Sequence, residues 1–475
     1  MFRSFFTAVI LTFVNLVIVS PPTAPGRETS DAFPLGVIIP KVAASADTRQ
    51  TYALYLPLTY SREQRWPVVY VFDPGARGTL ALAQFQHAAE LHRFIVAASN
   101  NSHNGPWAPE FEAGDTMVRD TQQRFSVDTR RIYFAGFSGG ARVASRLAQL
   151  CKCAAGVLLS GAGFSRDFPP SPDSRFAVFS AVGNTDFNYS ELIPLQDALE
   201  KAAFPHWLTV FDGGHEWAPP KVMDRALAWF RIQSANSPRE SLPVASDEGF
   251  LAAEFAAAQT RAQTQEQEGD LLTAWREYRQ IAATFEPVFD VSAVRAKAAQ
   301  LGNQKAVLHA TKREKNDFEE QDRLSGEILL ASASNRDNPL QTESEQSAVA
   351  LAKSLRLRVA GEKRPEHVVV FKRALSGVFV GSMEAALDAL DKKDYLRAAR
   401  QFACASEANP ESEWALRSLA IARVLSADRK GAYQALRSAR KITKDASGFS
   451  DWMKQEPVFE SLRSASEFVA LSASP

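Results

Sequence analysis

One serine, one aspartate and one histidine stand where their side chains could work together as a nucleophile, an orienting acid and a base. The serine is Ser138, in Gly136-Phe137-Ser138-Gly139-Gly140. A β-branched and aromatic run, Ile132 to Ala135, leads into it, and a helix-forming run from Ala141 to Leu150 leads away. A strand, a sharp turn and a helix would lift the hydroxyl to an apex in strained backbone, which requires small neighbours. Gly136 and Gly140 leave room for the turn and for helix–strand contact. The N–H of Gly139 opens the helix, where unpaired amides and the dipole favour a developing oxyanion. The plainer alternative is a glycine-rich turn carrying a solvated serine.

A nucleophilic serine needs a base within hydrogen-bond reach and a group that orients the base. The best base is His215, in Phe211-Asp212-Gly213-Gly214-His215-Glu216-Trp217, because a glycine turn after the last strand puts it on the same sheet edge. His103, in a loop after a strand, is the rival, while His87 and His92 fall on a helix. The acid expected between serine and histidine is Asp186, directly after the strand ending near Val182. Asp167 and Asp173 read as solvated loop charges, and Asp212 is too near His215 in sequence to reach the imidazole well. A second oxyanion donor is expected from the turn Asp73-Pro74-Gly75-Ala76; Pro74 has no N–H, which leaves Gly75 or Ala76. Trp107 and Trp217 are candidate walls for the acyl or alcohol group, or core aromatics.

The elements that would position these groups occupy 33–234. Gly36 to Pro40 and Thr51 to Leu56 read as an antiparallel edge pair. Runs starting at Pro67, Phe94, Ile132, Ala155, Phe176 and Trp207 read as buried strands, separated by helical segments at 80–91, 111–124, 190–203 and 221–232. Ser190 is the expected N-cap of the third of these. Strands alternating with helices predict a doubly wound, mainly parallel α/β sheet, with active groups where strands give way to loops.

The Ser-Pro-rich stretch 235–247 reads as a linker, and 248–475 as all-α. Ala398, Phe402 and Ala405 recur about 34 residues later as Ala432, Leu436 and Ala439, with Ala420 in the partnering helix. This resembles tetratricopeptide repeats, best at 379–444, with a weaker unit near 250–287. Residues 288–375 are helical in tendency but match no repeat, and 452–471 reads as a capping helix or two.

The N-terminal run Phe5 to Val19, shorter than the roughly 20 residues of a spanning helix, predicts a secretory signal cleaved near Ala24, hence a secreted or periplasmic protein. Pro22 sits poorly before that cut, so an uncleaved membrane anchor is the alternative. Lys+Arg and Asp+Glu are both 54, which argues against a polyanionic partner such as nucleic acid. Cys151, Cys153 and Cys404 form no disulfide framework; Cys151 and Cys153 are too close to bridge in regular structure and are expected as inert thiols.

Residues 33–234 resemble the α/β-hydrolase superfamily, most of all its small esterase branch of feruloyl esterases, polyhydroxybutyrate depolymerases and dienelactone hydrolases. Gly-Phe-Ser-Gly-Gly-Ala-Arg-Val-Ala and Gly-Gly-His-Glu-Trp carry the resemblance most specifically. It implies ester hydrolysis through an acyl-serine, with Ser138, Asp186 and His215 as the triad and neither metal nor cofactor. Members commonly have His-Gly where this chain has Asp73-Pro74, a departure at the oxyanion turn. Competing expectations are an inactive hydrolase-fold scaffold for protein interaction, and peptidase or thioesterase chemistry on the same triad. The helical part would hold a partner protein or shape access to the cleft.

Overall fold

The structure, a computed structural model, describes residues 33–171, 174, 176–236, 248–333 and 341–473. The expected leader, Asp173 and most of the linker lie outside the described residues.

Strands β1 (Ile38–Ala43), β2 (Thr51–Tyr55) and β3 (Trp66–Phe72) come first, followed by α1 (Gly78–His92), β4 (Ile95–Ser99) and α2 (Trp107–Arg124). Then come β5 (Val127–Phe137), α3 (Gly139–Cys151), β6 (Ala154–Ser160), β7 (Ala177–Gly183), α4 (Tyr189–Lys201), β8 (His206–Phe211) and α5 (Pro220–Ala235). The sheet order is β1-β2-β4-β3-β5-β6-β7-β8. The first two pairings are antiparallel and the rest parallel, which is the α/β-hydrolase arrangement. Every residue of β3, β4 and β7 is buried, as strands covered on both faces must be.

Helices begin one to four residues earlier than expected, and two of these starts change the place of a named residue. Helix α2 begins at Trp107 rather than Phe111, so Trp107 belongs to a first turn and not to a loop. Helix α4 begins at Tyr189 with Asn188 in the cap position; Ser190 lies inside the helix and its hydroxyl turns back to the Phe187 carbonyl. Asp186 is why the turn closes early: its carboxylate Oδ1 accepts the Asn188 N–H at 2.8 Å.

The remaining elements are helices: α6 (Glu248–Gln267), α7 (Leu271–Phe285), α8 (Ser292–Gly302), α9 (Lys305–Ala333), α10 (Gln341–Gly361) and α11 (Pro365–Asp391). They continue as α12 (Tyr395–Ala408), α13 (Glu413–Leu425), α14 (Arg429–Ile442), α15 (Ala446–Gln455), a 3-10 turn (Pro457–Leu462) and α16 (Ser466–Ser472). None of the described helices is long and apolar enough to cross a membrane. Ala398, Phe402, Ala405, Ala420, Ala432, Leu436 and Ala439 are all fully buried. The turns share a design: Gly269, Lys393 and Ala427 take positive φ, and the next residue, Asp270, Asp394 or Asp428, caps the following helix.

Leu35–Pro475 is one compact unit. A single apolar cluster runs from Val69 and Phe179 of the sheet through Trp229 and Phe230 of α5 to Leu251, Tyr278, Phe285 and Leu301 of α6, α7 and α8. The compositional break at 235–247 therefore marks a change of secondary structure, not a boundary between separately packed cores. Helix α7 even closes the sheet edge: the side-chain amide of Gln280 accepts from the Leu208 N–H of β8 and donates to its carbonyl.

The cysteines need correcting. Cys151 and Cys153 form a disulfide with Cα atoms 5.1 Å apart, and Cys404 is free and buried. Lys152 sits in left-handed backbone at the end of α3, folding the chain back far enough to bring its two neighbours within bridging range.

Candidate active site

Ser138 closes β5 and opens α3 with φ 53° and ψ −123°, a conformation a non-glycine residue holds only when its surroundings fix it. The fixing contacts are backbone against backbone. A Cβ on Gly136 would lie 2.1 Å from the Gly140 carbonyl oxygen, and one on Gly140 would lie 2.1 Å from the Phe72 carbonyl oxygen. The Ser138 N–H donates to the Ser160 carbonyl across to β6 at 2.8 Å. Helix α3 thus presses on the end of β3, and the serine side chain has one direction left.

That direction is toward His215. Its Nε2 lies 2.9 Å from Ser138 Oγ, and its Nδ1 lies 2.9 and 3.0 Å from the two oxygens of Asp186. Asp186 is fully buried, and the His215 side chain is 11 % exposed. The two loops that bring acid and imidazole together are zipped to each other. Asn184 N–H donates to Phe211 O, Thr185 N–H and Oγ1–H both donate to Gly213 O, and Asn184 Nδ2 donates to Asp212 Oδ1. Asp212 is thereby committed to Asn184 and turned from the imidazole. The ring of His215 is flanked by Phe137 and Phe187, with centroids 4.8 and 4.5 Å away.

The other candidates fall elsewhere. His103 is exposed, its Nδ1 beside the Asn101 carbonyl, and it makes no hydrogen bond to Ser138. His87 is exposed, and His92 is buried against Asp224. Asp167 is an exposed partner of Arg146. Trp217 is a core residue: its indole N–H donates to Asp73 Oδ2 at 2.8 Å and its ring packs on Phe85 and Phe137. Trp107 is half-buried, stacked on Phe111 with the Arg146 guanidinium 4.9 Å from its ring, and shows no contact with the serine–histidine pair.

The Asp73 turn is also unlike the expectation. Gly75 N–H donates to Asp73 Oδ1 at 2.8 Å, and Ala76 N–H donates to Asp73 O at 3.1 Å. Both amides offered for the second oxyanion donor are therefore consumed inside the turn, whereas no hydrogen bond engages the Gly139 N–H among the described residues. Asp73 is fully buried and also holds the Arg77 guanidinium, so one carboxylate ties this turn to the loop of His215 through Trp217.

No protein-family model and no curated protein matches the chain. Among solved structures it is similar to an S-formylglutathione hydrolase of Staphylococcus aureus, with 16% identity over 41% of this chain and 95% of that one, TM-score 0.34. It is similar also to the feruloyl esterase module from Clostridium thermocellum, with 15% identity over 40% and 87%, TM-score 0.32. A third is an esterase from Pyrobaculum calidifontis, with 12% identity over 42% and 86%, TM-score 0.33.

The helical part supplies what the sequence did not announce. Arg373 of α11, buried, donates through Nε to the Asn184 carbonyl at 2.7 Å and lies over the ring of Tyr189 at 3.5 Å. Gln321 of α9 donates to the Phe187 carbonyl at 2.7 Å. A Cβ on Gly377 would sit 3.4 Å from Phe187, so α11 passes directly over the residue that flanks His215. Two helical turns on, Glu384 is water-accessible yet crowded by protein, which raises its pKa, while the neighbouring Arg142 guanidinium pulls the other way. Glu110, in the first turn of α2, has its pKa pushed up to about 7 by burial, against the pull of a hydrogen bond from Gly105 N–H. A separate cavity of about 600 Å³, lined by Arg225, Trp275 and Gln280, contains none of these groups.

Proposed function

We propose that the chain is a serine hydrolase that cleaves carboxylic esters through an acyl-serine intermediate. The observation that carries this reading is the unbroken hydrogen-bonded series Ser138 Oγ, His215 Nε2, His215 Nδ1 and the Asp186 carboxylate, set at the carboxyl edge of a parallel sheet.

The proposed chemistry follows from those contacts. His215 Nε2 takes the Ser138 proton as Oγ attacks the ester carbonyl carbon, and the carbonyl oxygen becomes an oxyanion at the N-terminus of α3, near the Gly139 N–H. Asp186 keeps Nδ1 protonated, holding the tautomer that leaves Nε2 free to accept, and offsets the charge of the imidazolium. The imidazolium then gives its proton to the leaving alcohol oxygen. Water repeats the cycle on the acyl-serine and releases the acid. Phe137 and Phe187 keep the imidazole ring from swinging away.

In this reading the helical part is a wall of the cleft: α9 and α11 clamp the loop that carries the acid. A protein partner for the repeat-like helices and a secreted or periplasmic location remain part of the proposal. The test is direct. The full chain should hydrolyse short-chain p-nitrophenyl esters and take a fluorophosphonate label, and Ser138→Ala should lose both while melting as the wild type does. A well-folded wild-type protein that resists both reagents would leave the fold as an interaction scaffold.

A further inference from the structure

Two donors are needed to stabilise a tetrahedral oxyanion well, and the reading above supplies only the Gly139 N–H. The amides expected to be the second donor are spent. Gly75 N–H is held by the Asp73 carboxylate and Ala76 N–H by the Asp73 carbonyl. Releasing either would mean opening a turn whose buried carboxylate also anchors Arg77 and Trp217.

Another amide already stands against the nucleophile turn. The loop after β4 is laced to the Asp73 turn, with Asn104 N–H donating to the Pro74 carbonyl at 2.8 Å and Gly75 bridged to His103 in antiparallel fashion. The side chain of Asn104 occupies the place a side chain on Gly139 would take. The Cβ position at Gly139 lies 1.8 Å from Asn104 Oδ1, 2.8 Å from Cγ and 3.3 Å from Nδ2. This accounts for the glycine at 139, since any larger residue would collide with the amide. Asn104 is exposed, and neither end of its side-chain amide has a hydrogen bond among the described residues. The amide oxygen is the end nearest Gly139, and with neither end held by a hydrogen bond a half-turn of the amide plane brings the two N–H groups of Nδ2 to the side of the residue that follows the nucleophile, where they can donate to a negative oxygen.

We propose that Asn104 is the second oxyanion donor: its side-chain amide, together with the Gly139 N–H, receives the carbonyl oxygen as it becomes negative. The role consists of hydrogen-bond donation alone; no proton leaves the amide and no other bond is altered. It rests on the hydrolase reading and replaces the expected backbone donor of the Asp73 turn with a side chain from the next loop.

The experiment compares full-length wild type with Asn104→Ala and Asn104→Asp, using p-nitrophenyl butyrate as substrate and a phenylboronic acid as a tetrahedral mimic. Removing one such donor is expected to lower kcat by about 10²–10³-fold, with KM shifted by no more than about threefold. Boronate affinity should fall with kcat/KM. Asn104→Asp is nearly the same size but presents an anion, so it should be at least as slow. Because the residue is exposed, both variants should melt as the wild type does. A wild type that turns over while Asn104→Ala keeps its kcat within threefold overturns this assignment alone and returns the role to Gly75 or Ala76. A matched loss of kcat with unchanged boronate affinity also overturns it, because that would mark a positioning effect. A wild type inert to both ester and fluorophosphonate takes the hydrolase reading down with it.

Discussion

At Gly140 a methyl group would come to rest 2.1 Å from the carbonyl oxygen of Phe72, whereas at Gly326, within α9, it would meet nothing within 4 Å. The same residue type therefore does opposite things at these two positions. At the Ser138 turn, backbone segments touch directly, and the missing side chain of Gly140 is what lets α3 sit on β3 with Ser138 between them. In the helical half, contact runs through side chains, with buried alanines such as Ala398 and Ala432 letting helices approach and larger residues such as Phe402 filling between them. In the proposed reading, a hydroxyl held for chemistry draws on the first kind of packing, and a wall of the cleft needs only the second.

The largest effect should come from Gly140→Ala. Ordinary overpacking costs about 1–3 kcal/mol because neighbouring side chains move aside. Here the obstacle is the backbone of a central, fully buried strand, which has nowhere to go. The variant is expected to be recovered mainly as insoluble protein, and any soluble fraction should fail to react with a fluorophosphonate. Gel-based labelling of the soluble fraction checks this; a soluble, labelled variant would show that α3 can lift off β3 without loss of the serine geometry.

A middle-sized effect belongs to the seam between the halves. Arg373→Ala would strip the Asn184 carbonyl of a charged donor and remove a cation from the face of Tyr189. Charged hydrogen bonds contribute about 1.5–3 kcal/mol and a desolvated cation–π contact up to about 2, so a loss on the order of 2–4 kcal/mol is expected. Asn184 belongs to the loop bearing Asp186, so labelling of Ser138 should slow as well. Urea unfolding and labelling rates measured on one preparation separate the two: a stability loss with an unchanged labelling rate would reduce the helical half to a passive cover.

How far the sequence revealed this arrangement depends on how local each signal was. Ser138, Gly136 and Gly140 were legible because strand, turn and helix lie within about 20 consecutive residues, and Asp186 and His215 because each follows a strand directly. Trp217 was ambiguous because its buried N–H needs an acceptor, and that acceptor, Asp73, is 144 residues away. The closed Asp73 turn did leave a trace: aspartate before Pro-Gly favours bonding to its own turn amides, which takes them away from a ligand. Asn104 gave none, since a lone asparagine in a loop acquires meaning only when another loop is set beside it. The region 288–375 resisted ordering because α9, α10 and α11 are long helices of 29, 21 and 27 residues, with none of the short paired spacing seen later.

The smallest effect tests the other pole of the contrast. Gly326 lies inside α9, five residues beyond Gln321, which holds the Phe187 carbonyl. Glycine in a helix interior is less favourable than alanine by roughly 0.5–1 kcal/mol, because its unfolded chain has more freedom to lose. With no atom near the added methyl, nothing opposes that gain. Gly326→Ala should therefore raise stability toward urea by up to about 1 kcal/mol and leave the labelling rate of Ser138 unchanged. A loss of stability would mean that α9 bends at this glycine when it closes on the acid loop. Faster or slower labelling would mean that the tautness of α9 is transmitted through Gln321 to Phe187 and His215, making the helical half part of the working site and not only its wall.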